Sequence, residues 1–270
     1  MSAERVIIDG LAVRFGSRNI LSGVSLTLRP GETIAVVGAS GSGKTTLLRA
    51  LLGLADVAPG IVAGSIRIID RTGKVHSPYD GYPGPGNRLE RAFATIRGDI
   101  LGYVPQNAQA ALDPLQTVGA QVRGAAMLGR ETSDPLPWLE RAGLQDASQV
   151  ARLYPHELSG GMAQRVVIAQ ALARGSRFLL ADEPTSRLDA TTAQRVLEEF
   201  RRLASAGIGV LLVTHDLRVA ARIAEEILVM DAGQVAEVAP ATALARGTMR
   251  SEAGQRLVQA TRRIALGELA

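Results

Sequence analysis

Apolar positions along the chain come in short blocks, separated by turns that glycine and proline mark. Residues 6–8 and 11–13 are two such blocks on either side of Gly10, and residues 24–28 alternate with the period of a half-buried strand. Beyond the Pro30-Gly31 turn, residues 33–37 read as a buried strand, and a glycine-rich loop then leads into a helical stretch over 45–54. Gly60 and Gly64 close that element, and residues 65–69 predict another strand. Residues 71–87 include a run of glycines and prolines from Gly81 to Gly86, which predicts a surface excursion. From 116 to 170 the pattern is mostly helical, with breaks at Asp134-Pro135 and Tyr154-Pro155. Residues 178–181 and 210–213 are fully apolar and strand-sized, with a helix over about 191–204 between them. Residues 227–230 form a last strand before a turn at Gly233, and an amphipathic helix is expected over 255–266. Short apolar strands that alternate with helices predict a parallel sheet covered on both faces.

Composition narrows the class without naming it. At 270 residues, 46% hydrophobic and 21% charged, the chain suits one large folded domain or two modest ones. The absence of cysteine excludes disulfides, thiol nucleophiles, thiolate zinc sites and cysteine-ligated iron–sulfur clusters. All basic residues but Lys44 and Lys74 are arginine, so a task for a lysine has only two places to be. A formal charge of +4 permits an anionic partner, but the arginines are scattered and aromatic residues make up only 3%. Neither a basic tail nor a base-stacking surface follows from that, and no nucleic-acid partner is expected. The strongest apolar run, residues 208–213, falls far short of the roughly 18–20 residues that span a bilayer. The opening Met1-Ser2-Ala3-Glu4-Arg5 lacks the apolar core of a secretion signal. A soluble, cytosolic chain is the expectation.

Gly38-Ala39-Ser40-Gly41-Ser42-Gly43-Lys44-Thr45 fits G-x-x-x-x-G-K-[ST] in full, between a predicted strand and a predicted helix that Thr46 continues. Glycines let the backbone wrap tightly, so that successive N–H groups and the helix start face phosphates. Lys44 supplies a point charge for the β- and γ-phosphates, and Thr45 offers a hydroxyl to Mg²⁺. An ordinary glycine turn before a helix is the plain alternative. Further on, an apolar strand ends in Asp182-Glu183. Carboxylates at the C-terminal end of a parallel strand sit where ligands bind, so Asp182 would hold the Mg²⁺ shell and Glu183 would orient or polarise the attacking water. By itself a strand ending in Asp-Glu is more often a solvated turn. A second anion-binding helix start, with no strand before it, lies in Leu158-Ser159-Gly160-Gly161-Met162-Ala163-Gln164-Arg165. Two phosphate-binding starts and one nucleotide loop suggest a site shared between two subunits.

Over about residues 5–240 this series resembles the ATP-binding subunits of ABC transporters. In that resemblance Phe15 matches the aromatic that stacks on adenine, the residues from Gly38 to Thr46 the phosphate loop, and Gln106 the Q-loop glutamine. Leu158 to Met162 is similar to the family signature, Asp182-Glu183 to the acidic pair, Ser186-Arg187-Leu188-Asp189 to the D-loop, and His215 to the switch histidine. Taken singly, Phe15 reads as core, Gln106 as a loop amide and His215 as a capping histidine; their order and spacing carry the likeness. The resemblance implies an α/β P-loop NTPase (RecA-like) parallel-sheet core with an antiparallel β subdomain and a helical signature subdomain over about 108–173. A C-terminal helical tail would follow over 241–270. It also implies ATP and Mg²⁺, the metal held by Thr45, Gln106 and Asp182, and a head-to-tail pair of subunits. Ser159, Gly160, Gly161 and Met162 of one would cover the ATP held by Lys44 of the other. Glu183 and His215 would act on the γ-phosphate. The partners implied are a second ABC ATPase subunit, two polytopic membrane permease subunits and, indirectly, an extracytoplasmic solute-binding protein, at the cytoplasmic face of the cell membrane.

Finer detail is similar to the peptide/nickel importer branch: the Pro155-His156-Glu157 lead-in, Met162 after the glycines, and Ala111-Leu112-Asp113-Pro114 following Gln106. Several peptide-importing relatives carry a cysteine-rich C-terminal extension, which a chain without cysteine lacks; that moves weight toward the nickel or metal-chelate type. Two departures are Arg187, where the D-loop usually has a small residue, and the length of the 71–87 excursion. A non-transport ABC ATPase of a soluble enzyme complex, of the phosphonate carbon–phosphorus cleavage or iron–sulfur assembly type, is the alternative. A DNA- or ribosome-associated ABC protein is a third.

Overall fold

The two apolar blocks around Gly10 form one strand, β1 (Arg5–Phe15), because a bulge at Gly10 restores the inward phase that an odd insertion would lose. Val6, Ile8, Leu11 and Val13 all face the core. The computed structural model describes residues 4–54, 60–80, 87–129 and 133–265, which divide into two units, Met1–Ala94 with Leu211–Ala270, and Thr95–Val210.

In the first unit, β1 pairs antiparallel with β2 (Arg18–Leu28). A connection then leads to β3 (Thr33–Gly38), buried at every position, and to α1 (Lys44–Leu51). The helix is shorter than its periodicity predicts, because Gly53 turns the chain with φ +61°. The next strand, β4 (Ile61–Ile69), runs through Gly64, where a closing turn was expected. Gly64 (φ +85°) packs against the carbonyl of Gly10, too close for a Cβ, so it serves as the partner bulge on the strand beside β1. A two-residue strand, β5 (Val75–His76), completes an antiparallel sheet of order β2-β1-β4-β5. Its turn is knotted by Asp70, whose carboxylate accepts from Thr72 N and Oγ1, Lys74 N and His76 Nε2. Burial opposes ionisation of Asp70, but these bonds outweigh it and hold the carboxyl well below the usual range. The expected excursion thus begins as an ordered hairpin; residues 81–86 lie outside the described residues. Helix α2 (Asn87–Ala94) follows, its Phe93 edge-on to Tyr79, whose hydroxyl donates to the carbonyl of Ala50 at 2.6 Å.

The second unit begins with β6 (Leu101–Val104), followed by a 3₁₀ turn at Gln109–Ala111. Three helices follow: α3 (Val118–Gly129), α4 (Leu136–Arg141) and α5 (Ala147–Val150). A second 3₁₀ turn, Pro155–Glu157, precedes α6 (Gly160–Arg174), and then come β7 (Phe178–Asp182) and α7 (Ala190–Ser205). The breaks at Asp134-Pro135 and Tyr154-Pro155 fall between helices, as proline requires. Strand β6 pairs parallel with β7. Helix α6 is buried on nearly all sides, whereas α7 buries one stripe through Val196, Phe200 and Leu203. Arg165 of α6 donates to the carbonyls of Gly161 and Gly143. Burial pulls its pKa down, and nearby Glu199 of α7 opposes that pull.

The division between the units falls inside β8 (Gly209–Val213). The chain then returns to the first unit with α8 (Leu217–Ile223), β9 (Glu226–Asp231), β10 (Gln234–Pro240), α9 (Ala241–Arg246) and α10 (Glu252–Ala265). Strand β9 pairs parallel with β3 and antiparallel with β10. The tail expected from residue 241 packs into this layer: Leu244, Met249, Ala253 and Val258 share a core with Val37, Ile227 and Val229. Burial of the larger of these side chains contributes roughly 1.5–3 kcal/mol each. Glu237 fastens the turn before α10 by accepting from Arg250 N (2.9 Å), Ser251 N (2.8 Å) and Ser251 Oγ (2.8 Å). Arg256 reaches Asp231 at 2.6 Å. Among the described residues no helix is long and apolar enough to cross a membrane.

Candidate nucleotide site

The expected phosphate loop leaves β3 at Gly38 and enters α1 at Lys44. A Cβ on Gly38 would overlap the carbonyl oxygen of Met230, and one on Gly43 (φ +103°) would press Leu21 at 2.6 Å, so both positions need the absent side chain. Lys44 is 7% exposed and turns back into the loop, donating to the carbonyls of Gly38 (2.8 Å) and Ala39 (2.9 Å) and approaching Ser42 Oγ at 3.4 Å. Its charge is thereby fixed in the concavity of the loop at the positive end of α1. Ala39, Ser40 and Gly41 are exposed, as is Thr45, and Thr46 is half-buried in the same turn.

Two other expected residues belong to the same unit. Phe15 ends β1 with 40% of its surface exposed, which removes the reading of it as core. His215 is exposed just past β8, where Thr214 N bonds the carbonyl of Val36 of β3 (3.2 Å). The capping role that a histidine might have taken belongs to Asp216, whose carboxylate accepts from Arg218 N at 2.8 Å to start α8.

The remaining expected residues lie in the second unit. Asp182 ends β7, half-buried. Glu183 follows with φ +45°, a left-handed conformation that a side chain adopts at a cost of about 1–3 kcal/mol. Among the bonds that hold it there, its carbonyl accepts from Ser186 N (3.2 Å) and Ser186 Oγ (3.0 Å), and its Oε2 accepts from Gln106 Nε2 (3.2 Å). Gln106 also donates to Ser186 Oγ at 3.0 Å, so Gln106, Glu183 and Ser186, one each from the expected Q-loop, acidic pair and D-loop, meet in one cluster. The bend after β7 therefore presents the Glu183 carboxylate on a strained and cross-braced backbone.

Ser159 caps α6, its Oγ accepting from Met162 N at 3.3 Å, and leaves the helix start exposed at Ser159 and Gly160. The two glycines have a second role that sequence reading missed. A Cβ on Gly160 would press Leu188 at 2.8 Å, and one on Gly161 would overlap the methyl of Thr192. The signature is thus packed directly against the D-loop and the first turn of α7. Asp189 caps that turn by accepting from Thr192 N at 3.0 Å, and its bonds with Thr192 hold its carboxyl below the usual range. Arg187 stands exposed beside it. Gln164 and Arg165 were also missed as structural ties; an adjacent amide and guanidinium near the start of a largely buried helix were the available signal.

The family model for ABC transporters matches residues 21–186, more than half of the chain. The chain belongs to the ABC transporter family. A putative peptide import ATP-binding protein of Brucella abortus is 37% identical over 255 residues, covering 89% of this ABC chain and 73% of that protein. The nickel import ATP-binding protein NikD of Brucella abortus biovar 1 is 36% identical over 250 residues, 89% of this chain and 88% of that one. The oligopeptide transport ATP-binding protein OppD of Lactococcus lactis subsp. cremoris is 36% identical over 225 residues, covering 80% and 62%. Among solved structures, a dimeric ATP-binding cassette in a post-hydrolysis state, bound to ADP and Pi, is 28% identical with a TM-score of 0.68, over 87% of this chain and 98% of that one. The fold is that of an ABC ATPase cassette, with its P-loop, antiparallel sheet and helical signature region, and the chain is an ATP-binding subunit.

Proposed function

We propose that this chain is the ATP-hydrolysing motor subunit of an ABC importer for peptides, nickel or metal chelates. It works as a head-to-tail dimer with a like or related cassette, docked on two membrane permease subunits at the cytoplasmic face of the membrane. The observation that carries the enzymatic part is Glu183, whose strained backbone and Gln106-bound carboxylate suit a group that takes a proton from, or orients, the water attacking the γ-phosphate. Lys44 neutralises the β- and γ-phosphates, Phe15 offers its exposed ring to adenine, and His215 contacts the γ-phosphate. Ser159, Gly160, Gly161 and Met162 cover the nucleotide of the partner subunit. Thr45, Asp182 and Gln106 each carry an oxygen of the hard type that Mg²⁺ prefers, so their donor chemistry suits that ion. When bound, Mg²⁺ would neutralise phosphate charge. The import reading is supported by relatives named for peptide and nickel import at 36–37% identity.

Glu183→Gln should keep ATP binding and lower turnover by about 10²–10⁴-fold, the usual contribution of a positioned acid–base group. Hydrolysis at the parent rate would reject the assignment. For the transport reading, affinity capture of the tagged chain should recover a polytopic membrane protein; recovery of a soluble enzyme assembly in its place overturns it.

A further inference from the structure

Two hydrogen bonds join the segment around Gln106 to the signature region, and they mirror each other. Gln109 Nε2, in the 3₁₀ turn after Gln106, donates to the carbonyl of Pro155 at 3.0 Å, in the lead-in to the signature. Gln164 Nε2, in the second turn of α6, donates to the carbonyl of Pro105 at 3.1 Å, the residue before Gln106. Each acceptor belongs to a proline, which has no N–H, so each glutamine must present its NH₂ end. Gln164 is 3% exposed, and its Oε1 finds no hydrogen-bond partner among the described residues. A buried amide ordinarily satisfies both ends, so a buried glutamine that leaves its oxygen unpaired while gripping a loop carbonyl calls for a reason beyond packing.

The geometry supplies that reason. A segment tied at one point can swivel about it, whereas ties at Pro105 and Gln109 bracket Gln106 and fix its direction. The amide between them is the one that reaches Glu183 Oε2 and Ser186 Oγ. We infer that Gln109 and Gln164 are positioning residues, a two-point clamp that makes the Gln106 loop and the signature start move as one body. The inference rests on the proposed hydrolytic roles of Gln106 and Glu183, and both glutamines act through Gln106. A displacement of the signature start would then arrive at Gln106 as a rotation rather than be absorbed in a slack loop.

Methionine keeps the length of glutamine and removes the donor; lysine at the exposed position 109 restores one. Steady-state hydrolysis by the full-length chain should show kcat lowered about tenfold in Gln109→Met and in Gln164→Met, since small misplacements of reacting groups cost at least that much. KM for ATP should stay within about twofold, because the clamp does not bind nucleotide. The double variant should match the weaker single within about twofold, as losing either tie already leaves a pivot. Gln109→Lys should recover most of the loss. Hydrogen exchange of residues 155–164 should rise in Gln109→Met, a readout independent of turnover and of whether Gln164→Met folds. Losses that multiply in the double variant, a Gln109→Lys no better than Gln109→Met, or unchanged exchange overturn the clamp. With Glu183→Gln measured alongside, arrest in that variant and normal turnover in both methionine variants removes the clamp alone. Normal turnover in Glu183→Gln removes the hydrolytic reading beneath it.

Discussion

In the phosphate loop Lys44 donates to carbonyls five and six residues away, whereas the cluster around Gln106 is tied to residues 46 to 80 positions away. The first is a local object: glycine conformations and a lysine folded onto its own loop carbonyls. The second exists only when β6, α6 and the bend after β7 have been brought together, and it is held by single side-chain hydrogen bonds. Once β3 is seated in its sheet, the loop holds its charge in place with its own backbone carbonyls. A cluster made from distant segments can be aligned or misaligned by moving one of them, at the cost of a bond worth about 0.5–1.5 kcal/mol rather than of unfolding. Under the proposed function, binding falls to the locally built loop and alignment to the cluster assembled from distant segments.

Substitutions that separate the two behaviours should do so in a graded way. The largest effect is expected from Lys44→Ala, which removes the one charged donor of the loop: ATP binding measured by calorimetry should weaken roughly 10–100-fold, the range for a hydrogen bond to a charged group. Parent-like affinity would show that the charge of the loop is not what holds phosphate. Next comes Gly161→Ala, whose new methyl collides with Thr192; overpacking of this kind costs about 1–3 kcal/mol, visible as a shifted urea midpoint. Thr192→Ala should restore much of that loss, and no rescue would mean that the close approach of signature and α7 is not the cause. Smaller still, Glu183→Gly should stabilise the chain by about 1 kcal/mol through relief of its left-handed backbone while ending turnover. A destabilised variant would show that the carboxylate's bonds outweigh the strain.

The smallest effect is a pH dependence. Asp189 has a folded pKa held below its unfolded value by its bonds with Thr192. Its capping contribution is therefore present in full above the unfolded carboxylate range, near 4, and is lost as pH falls through the folded pKa. Melting curves of the parent and Asp189→Ala should differ at neutral pH and converge in acid; a constant gap would assign the difference to something other than ionisation.

The same contrast explains what could be read from the chain. The loop from Gly38 to Thr45 was legible because motif, strand and helix are contiguous, and β3, β7 and β8 because both faces of each are covered, leaving unbroken apolar runs. Strands β5, β6 and β10 and helix α2 went unread. Two of these strands are very short, and β10 breaks the usual alternation, exposing Ala236 and Val238 while half-burying Glu237. Gly64 looked like a terminator because a bulge and a turn both call for glycine; only Gly10 across the pair distinguishes them. In the second unit the residue types were legible and their ties were not. Nothing local shows that Gly161 meets Thr192, that Gln106 reaches Glu183, or that the backbone turns left-handed at Glu183.

Strand β3, which delivers the phosphate loop, has β9 as its parallel neighbour, with Gly38 beside Met230. On a ribosome the loop is made early, but the strand that supports it emerges about 190 residues later, after roughly 10–40 s at 5–20 residues per second. Throughout that interval the glycine face of Gly38 lacks the Met230 carbonyl against which it packs in the finished sheet. The nascent chain thus carries a finished nucleotide-binding sequence on an unfinished sheet, and the part of the protein that is simplest to recognise is among the last to become solid.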